Sequence, residues 1–119
     1  MHELSIARSI VELAEDQARK HHASVVEELE LEVGVLAGIE VETLDFALES
    51  VVKGTALERA RIVRHMISGE GRCAECQAVF PMDARLTPCP CCGSWWIEIR
   101  RGKELRLKSV VVKQESGVS

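Results

Sequence analysis

The chain has 119 residues, a formal net charge of −4 and 46% hydrophobic residues. This size and composition indicate one folded domain, or a small domain that carries a smaller one, and exclude a wholly disordered chain. The negative net charge disfavours a general electrostatic attraction to nucleic-acid phosphates. No apolar run approaches the roughly 20 residues that span a bilayer, and charged residues interrupt the N-terminus, so we expect neither a membrane span nor a signal peptide. The expected location is the cytoplasm.

Two helical patterns and two strand patterns alternate in the first part of the chain. Apolar residues recur at a period near 3.6 over residues 3–20, which predicts a helix. From residue 25 to 35 the period becomes two, and leucine and valine alternate with glutamate, which predicts a strand with one acidic, solvent-facing side. A second helix is predicted over residues 41–52, and β-branched residues predict a second strand over 62–67. The apolar positions that should face the core from the first helix are Leu4, Ile6, Ile10, Leu13, Ala14 and Ala18.

Residues 70–102 differ in composition from the rest of the chain. They contain all five cysteines, all three prolines and both tryptophans, and their charges cancel. A strand pattern resumes over residues 105–112, so we interpret the cysteine-rich segment as an insertion between two strands. The predicted fold class is therefore α+β, with two helices and a small, three-stranded, mainly antiparallel sheet in residues 1–69 and 103–119. Residues 114–119 are expected to be a frayed tail.

Two Cys-x-x-Cys pairs stand within this insertion. Cys73 and Cys76 form the first pair, Cys89 and Cys92 form the second, and twelve residues separate them. Four thiolates in a tetrahedron are a preferred ligand set of structural zinc. Gly93 permits the tight backbone turn that directs amide groups at sulfur. Residues 70–102 are therefore predicted to be a zinc ribbon, and two disulfides or an iron–sulfur cluster are the alternatives.

Cys91 is the one cysteine outside these pairs. A ligand set with Cys91 in place of Cys92 is an alternative, but the register of the first pair favours Cys92, which leaves Cys91 as a bystander thiol. A full four-thiolate set has no open position for water, so the metal is predicted to be structural and not hydrolytic.

The first residues of the chain offer a different kind of metal site. A histidine at position two brings its imidazole and its backbone nitrogen toward one ion, and deprotonated amide nitrogens favour the square-planar geometry of Ni(II) or Cu(II). A carboxylate from elsewhere in the chain could complete the ligand set. The alternative is that His2 has no role and that Glu3 simply favours the positive end of the helix dipole.

These motifs together resemble the HypA/HybF family, the nickel-delivery proteins for maturation of nickel–iron hydrogenases. The resemblance rests on the opening Met-His-Glu-Leu-Ser, on the segment 34–40 and on the two cysteine pairs, and it covers residues 1 to about 113. It implies a protein that is not an enzyme, with Ni(II) as cargo at His2 through its imidazole and backbone nitrogen. Glu3 is then expected to contribute through its backbone or to lie nearby. The resemblance also implies that Glu40 is a further nickel ligand or neighbour, and that the four paired cysteines hold structural Zn²⁺.

The resemblance also implies partners. These are a HypB-like GTPase accessory protein, the large-subunit precursor of a nickel–iron hydrogenase and, in some organisms, urease accessory proteins. Nucleic acid is not an expected partner. The alternative function is a zinc-ribbon nucleic-acid-binding or adaptor module, which needs a basic, aromatic face. One ring of the Trp95–Trp96 pair is expected to pack against the cysteine turns, and the other could anchor a protein partner. The local basic residues are Arg100, Arg101, Lys103, Arg106 and Lys108.

Overall fold

The computed structural model describes residues 3–113. His2 and the predicted tail lie outside the described residues. Neither helix within them has the length and apolarity needed to cross a membrane. The elements, in chain order, are α1 (Glu3–Lys20), β1 (Val25–Gly34), α2 (Val41–Val51), β2 (Arg61–Ile67), β3 (Gly69–Cys73), β4 (Val79–Met82), β5 (Ile97–Arg101) and β6 (Leu105–Lys113).

The strands form two three-stranded sheets, ordered β2-β1-β6 and β4-β3-β5. With the two helices, this confirms the predicted α+β class with an inserted ribbon. The described residues divide into two compact units, one of residues 3–31, 40–64 and 106–113, the other of residues 32–39 and 65–105. The predicted division into a nickel-binding α+β domain of residues 1–69 and 103–119 and a zinc-binding ribbon of residues 70–102 stays a prediction.

Helix α1 buries a partly different set of side chains from the one its apolar pattern predicts. Leu4 and Leu13 are 48% and 53% exposed, so their predicted burial is wrong. Side chains three or four positions apart lie on the same face of a helix. Ala7 and Val11 are buried, so the buried face of α1 lies between Leu4 and Leu13 around the helix, and both leucines are at its edges. The buried residues of α1 are Glu3, Ala7, Ile10, Val11, Ala14 and Ala18.

Strand β1 confirms the predicted alternation. Leu29 and Leu31 are fully buried. The intervening glutamates lie on the other face, where Glu30 accepts a hydrogen bond from the Ser109 hydroxyl at 2.8 Å. Glu28 forms a long ion pair of 4.0 Å with Arg61. The acidic side of β1 thus has partners on both neighbouring strands.

In the second unit, β3 is the central strand and pairs antiparallel with both β4 and β5. Its compact core contains Leu36 beside two of the cysteines. A Cβ atom added to Gly69 would lie 2.8 Å from the Leu36 Cδ1 atom, and one added to Gly102 would lie 3.0 Å from it. Leu36 is therefore tightly enclosed. The buried residues of this core are Leu36, Cys73, Phe80, Met82 and Cys89.

Candidate metal centres

The four paired cysteines converge on one point of the second unit. All four Sγ atoms lie within 4.8 Å of one another. The Sγ atoms of Cys73 and Cys92 are 3.6 Å apart, and those of Cys76 and Cys89 are 3.5 Å apart. A disulfide bond is about 2.05 Å long, so these cysteines are free thiols. Zn–S bonds of about 2.3 Å in a tetrahedron place sulfurs about 3.8 Å apart, and the group therefore fits a tetrahedral zinc ion.

The two cysteine turns share one backbone design. In each turn, the first cysteine accepts a hydrogen bond from the amide four residues later, at 3.0 and 2.9 Å, and donates its own amide to the carbonyl five residues later, at 2.9 and 2.8 Å. The residue four positions on has a left-handed backbone in both turns, with φ of 69° at Gln77 and 77° at Gly93. Gly93 was expected in such a turn. Gln77 was not predicted, because the one sign of it in the sequence is that it follows Cys73 by four positions, as Gly93 follows Cys89.

Cys73 and Cys89, the buried members of the group, accept hydrogen bonds from backbone amides. The donors are Glu75 and Cys76 to the sulfur of Cys73, and Cys91 to the sulfur of Cys89, each at 3.4 Å. Donation from Cys76 is the main cause that lowers the pKa of Cys73. Donation from the Cys92 amide is the main cause that lowers the pKa of Cys89 to about 6. The turns thus stabilise thiolates, the form that binds metal.

The exposed cysteines Cys76 and Cys92 behave in the opposite way. The Ala78 amide lowers the pKa of Cys76, but the neighbouring Cys89 sulfur and the other thiols outweigh it and raise this pKa to about 12. The Ser94 amide likewise lowers the pKa of Cys92, yet the net shift is upward because the Cys73 sulfur, burial and the Cys89 sulfur favour its protonated form. Without a cation the group shares its protons unevenly, and a divalent cation would have to displace them.

Cys91 is exposed, and its side chain is not part of the four-sulfur group. Only its backbone takes part, through the amide that faces Cys89. The structure therefore brings together the set with Cys92 and not the alternative set with Cys91.

At the start of the first unit, two residues predicted for the nickel site lie together. The Glu40 amide donates a hydrogen bond of 3.0 Å to Glu3 Oε2 across 37 sequence positions. Glu3 is buried, with 7% of its surface exposed. Glu40 is the N-cap of α2 and makes no capping bond with its own side chain, so the Glu3 carboxylate supplies the cap. His2, the third predicted residue, precedes Glu3 directly and lies outside the described part.

Other predicted features of the ribbon are changed by the structure. Trp95 and Trp96 are 65% and 73% exposed, so the expectation that one ring packs against the cysteine turns is wrong. Of the basic run, Arg100 forms an ion pair of 3.8 Å with Glu70, and Arg101 also pairs with Glu70. This reduces the positive charge that the basic run could offer to phosphates.

These observations define a class of protein. It is an α+β protein with a four-thiol group and with a second helix capped by a carboxylate. Residues 1–112 match the family model described as "Hydrogenase/urease nickel incorporation, metallochaperone, hypA". A hydrogenase maturation factor HypA of Parabacteroides distasonis is 63% identical over 115 residues, which cover 97% of this chain and all of the relative. One of Polaromonas naphthalenivorans is 42% identical over the same share of both chains.

Solved structures agree with the sequence relatives. The chain resembles the solution structure of the Ni metallochaperone HypA from Helicobacter pylori, with a TM-score of 0.70 and 26% identity, over 97% of this chain and all of that one. The chain belongs to the HypA family of hydrogenase maturation factors. It is thus a member of a family of nickel metallochaperones, which are not enzymes.

Proposed function

We propose that this chain carries Ni(II) at its N-terminus and delivers it during maturation of nickel–iron hydrogenase, and also of urease in organisms that have it. The observation that supports this most directly is the bond between the Glu40 amide and the Glu3 carboxylate. It holds the residue after His2 beside the one carboxylate predicted to join the nickel ligands. Nickel is the cargo here, and the fold supplies its binding place.

The proposed nickel ligands are the imidazole and backbone nitrogen of His2, with Glu40 as a further ligand or neighbour. Glu3 is proposed to contribute through its backbone or to lie nearby, with its carboxylate held at the Glu40 amide. Nitrogen donors of this kind favour Ni(II) in a planar arrangement. Such a set is weaker than four thiolates, so nickel would move to a recipient while a metal on the cysteines stays.

The proposed resident metal is Zn²⁺ on Cys73, Cys76, Cys89 and Cys92. The support is the tetrahedral spacing of the four sulfurs and the amides directed at two of them. Zinc would cross-link the two turns and add folding free energy to a small unit. We expect Cys92→Ser to lower zinc content, and Cys91→Ser, the matched control one position away, to leave it unchanged. Equal zinc loss in both variants would contradict this ligand set.

The proposed partners are a HypB-like GTPase accessory protein, the hydrogenase large-subunit precursor and urease accessory proteins, all in the cytoplasm. The free thiols suit a reducing compartment. A nucleic-acid-binding role is not favoured, because Glu70 pairs with both Arg100 and Arg101.

The test is a calorimetric titration of untagged, zinc-loaded protein with Ni(II), with the zinc content measured before and after it. We expect one nickel per chain, strong loss of nickel in His2→Ala, and no change of zinc content. His21→Ala, which removes an exposed histidine at the end of α1, is the matched control. Nickel affinity in His2→Ala equal to that of the unmodified chain would overturn the proposed site.

A further inference from the structure

The loop of residues 83–88 leads from β4 to the second cysteine pair. Met82 before it is 4% exposed and Cys89 after it is 3% exposed, so both ends are fixed in the core of the second unit. Between them the side chains pack little: Leu86 is 85% exposed. Packing therefore does not determine where this loop lies.

One hydrogen bond joins the loop to a distant part of the second unit. Arg85 Nε donates to the carbonyl oxygen of Leu36 at 2.7 Å, across 49 sequence positions. The other side-chain hydrogen bond of the loop, from the Thr87 hydroxyl to the Ala84 carbonyl at 2.6 Å, is local. Within the described residues, Arg85 alone links residues 83–88 by a hydrogen bond to a residue outside them.

The acceptor of this bond is well fixed. Leu36 is 2% exposed and packs in the same core as Cys73 and Cys89. Its amide donates to the Gly102 carbonyl at 2.7 Å. A Cβ atom added to Gly69 would lie 2.8 Å from Leu36 Cδ1, so the side chain of Leu36 is closely packed against the backbone there. A charged donor on a fixed carbonyl makes a stronger hydrogen bond than a neutral one. Arg85 thus anchors the loop to a rigid point.

We propose that Arg85 is a positioning residue of the four-thiol site: it holds the loop that presents Cys89 and Cys92, and so slows the loss of the metal. This rests on the proposed zinc site. Release of a metal from four thiolates requires one cysteine pair to move away. The first pair continues directly from β3, whereas the second follows a loop held by one side chain. The second pair is accordingly the part that Arg85 retains.

The experiment measures the rate at which zinc passes from the full chain to an excess of a colorimetric chelator. We expect release from Arg85→Ala to be about three- to tenfold faster, the effect of one partly exposed charged hydrogen bond. Arg85→Lys keeps a donor and is expected to fall between this variant and the unmodified chain. The absorption spectrum of the Co(II)-substituted variant should be unchanged, since all four thiolates remain.

Two controls separate positioning from loss of charge and from general destabilisation. Arg100→Ala removes a positive charge from the same unit, while Arg101 continues to pair with Glu70. Ile99→Val reduces packing on the core of that unit without touching the loop. Both should release zinc at the unmodified rate. If Arg85→Ala releases zinc no faster than these controls, the role of Arg85 is overturned although the zinc site stands. If the unmodified chain holds no zinc, the proposed site itself is wrong.

Discussion

At the scale of single residues, the cysteine turns show how a sequence motif specifies geometry. The two turns have matching hydrogen bonds, and each needs a left-handed residue four positions after its first cysteine. Gly93 satisfies this need without steric cost. Gln77 does so against its preference, and its side chain bonds locally to Arg72 and to the Ala74 carbonyl. Glycine after a cysteine pair is readable in a sequence, whereas a left-handed glutamine has no signal of its own.

This difference predicts the effect of substitution at Gly93. A Cβ atom there would meet no atom within 4 Å, so the left-handed backbone is the sole cost. We expect Gly93→Ala to lower the free energy of unfolding by about 1 kcal/mol, and Gly93→Asn to lower it less, because asparagine tolerates this conformation. Thermal unfolding of the zinc-loaded chain measures both. Equal stability of Gly93→Ala and the unmodified chain would contradict the strain argument.

At the scale of elements, α1 and α2 are joined by carboxylates as well as by apolar contact. Glu3 accepts the amide at the start of α2, and Glu15 accepts the Ala56 amide, just beyond the end of α2, at 3.1 Å. The periodicity of the sequence predicts both helices correctly. It cannot predict these bonds, since each joins residues about 40 positions apart and depends on how the helices pack. For the same reason it assigned Leu4 and Leu13 to the buried face.

The cap provided by Glu3 predicts a stability effect that does not involve metal. Glu3→Ala removes the acceptor of the Glu40 amide at the N-cap of α2, and we expect the free energy of unfolding to fall by about 1 kcal/mol. Glu3→Gln retains an acceptor oxygen and should lose less. Glu12→Ala, at an exposed position of the same helix, is the control and should change little. Urea unfolding of the chain without nickel provides the measurement, and a loss in Glu12→Ala as large as in Glu3→Ala would argue against capping.

At the scale of the whole molecule, composition and motif spacing predict the class of fold and the cysteine group, because local patterns carry both. The four sulfurs come together as the two Cys-x-x-Cys pairs predict. The exposure of both tryptophans was not predictable, since alternation in a strand does not tell whether any element covers the outer face. The proximity of Glu3 to Glu40 was expected from family resemblance alone, and the structure adds the bond that produces it.

Stability of the metal-free chain should depend on pH through the cysteines. The pKa of Cys89 in the folded chain is about 6, against an ordinary value of 9.0. Its contribution to the free energy of unfolding is therefore complete above pH 9 and is lost as the pH falls through 6. The pKa of Cys76 is about 12, so its contribution is complete below pH 9 and is lost as the pH rises toward 12. We expect the free energy of unfolding to rise between pH 6 and 9 and then fall. Urea unfolding with chelator present measures this, and Cys89→Ser should reduce the rise.

The position of the two indole rings has a practical consequence for spectroscopy. Trp95 and Trp96 are the chain's two tryptophans, tyrosine is absent, and both rings are largely solvated in the second unit. Intrinsic emission therefore reports on the ribbon alone, with the long wavelength of a hydrated fluorophore before and after denaturation. The first unit, which contains both helices, has no tryptophan and gives no signal in this measurement. Circular dichroism is the optical method suited to following its unfolding.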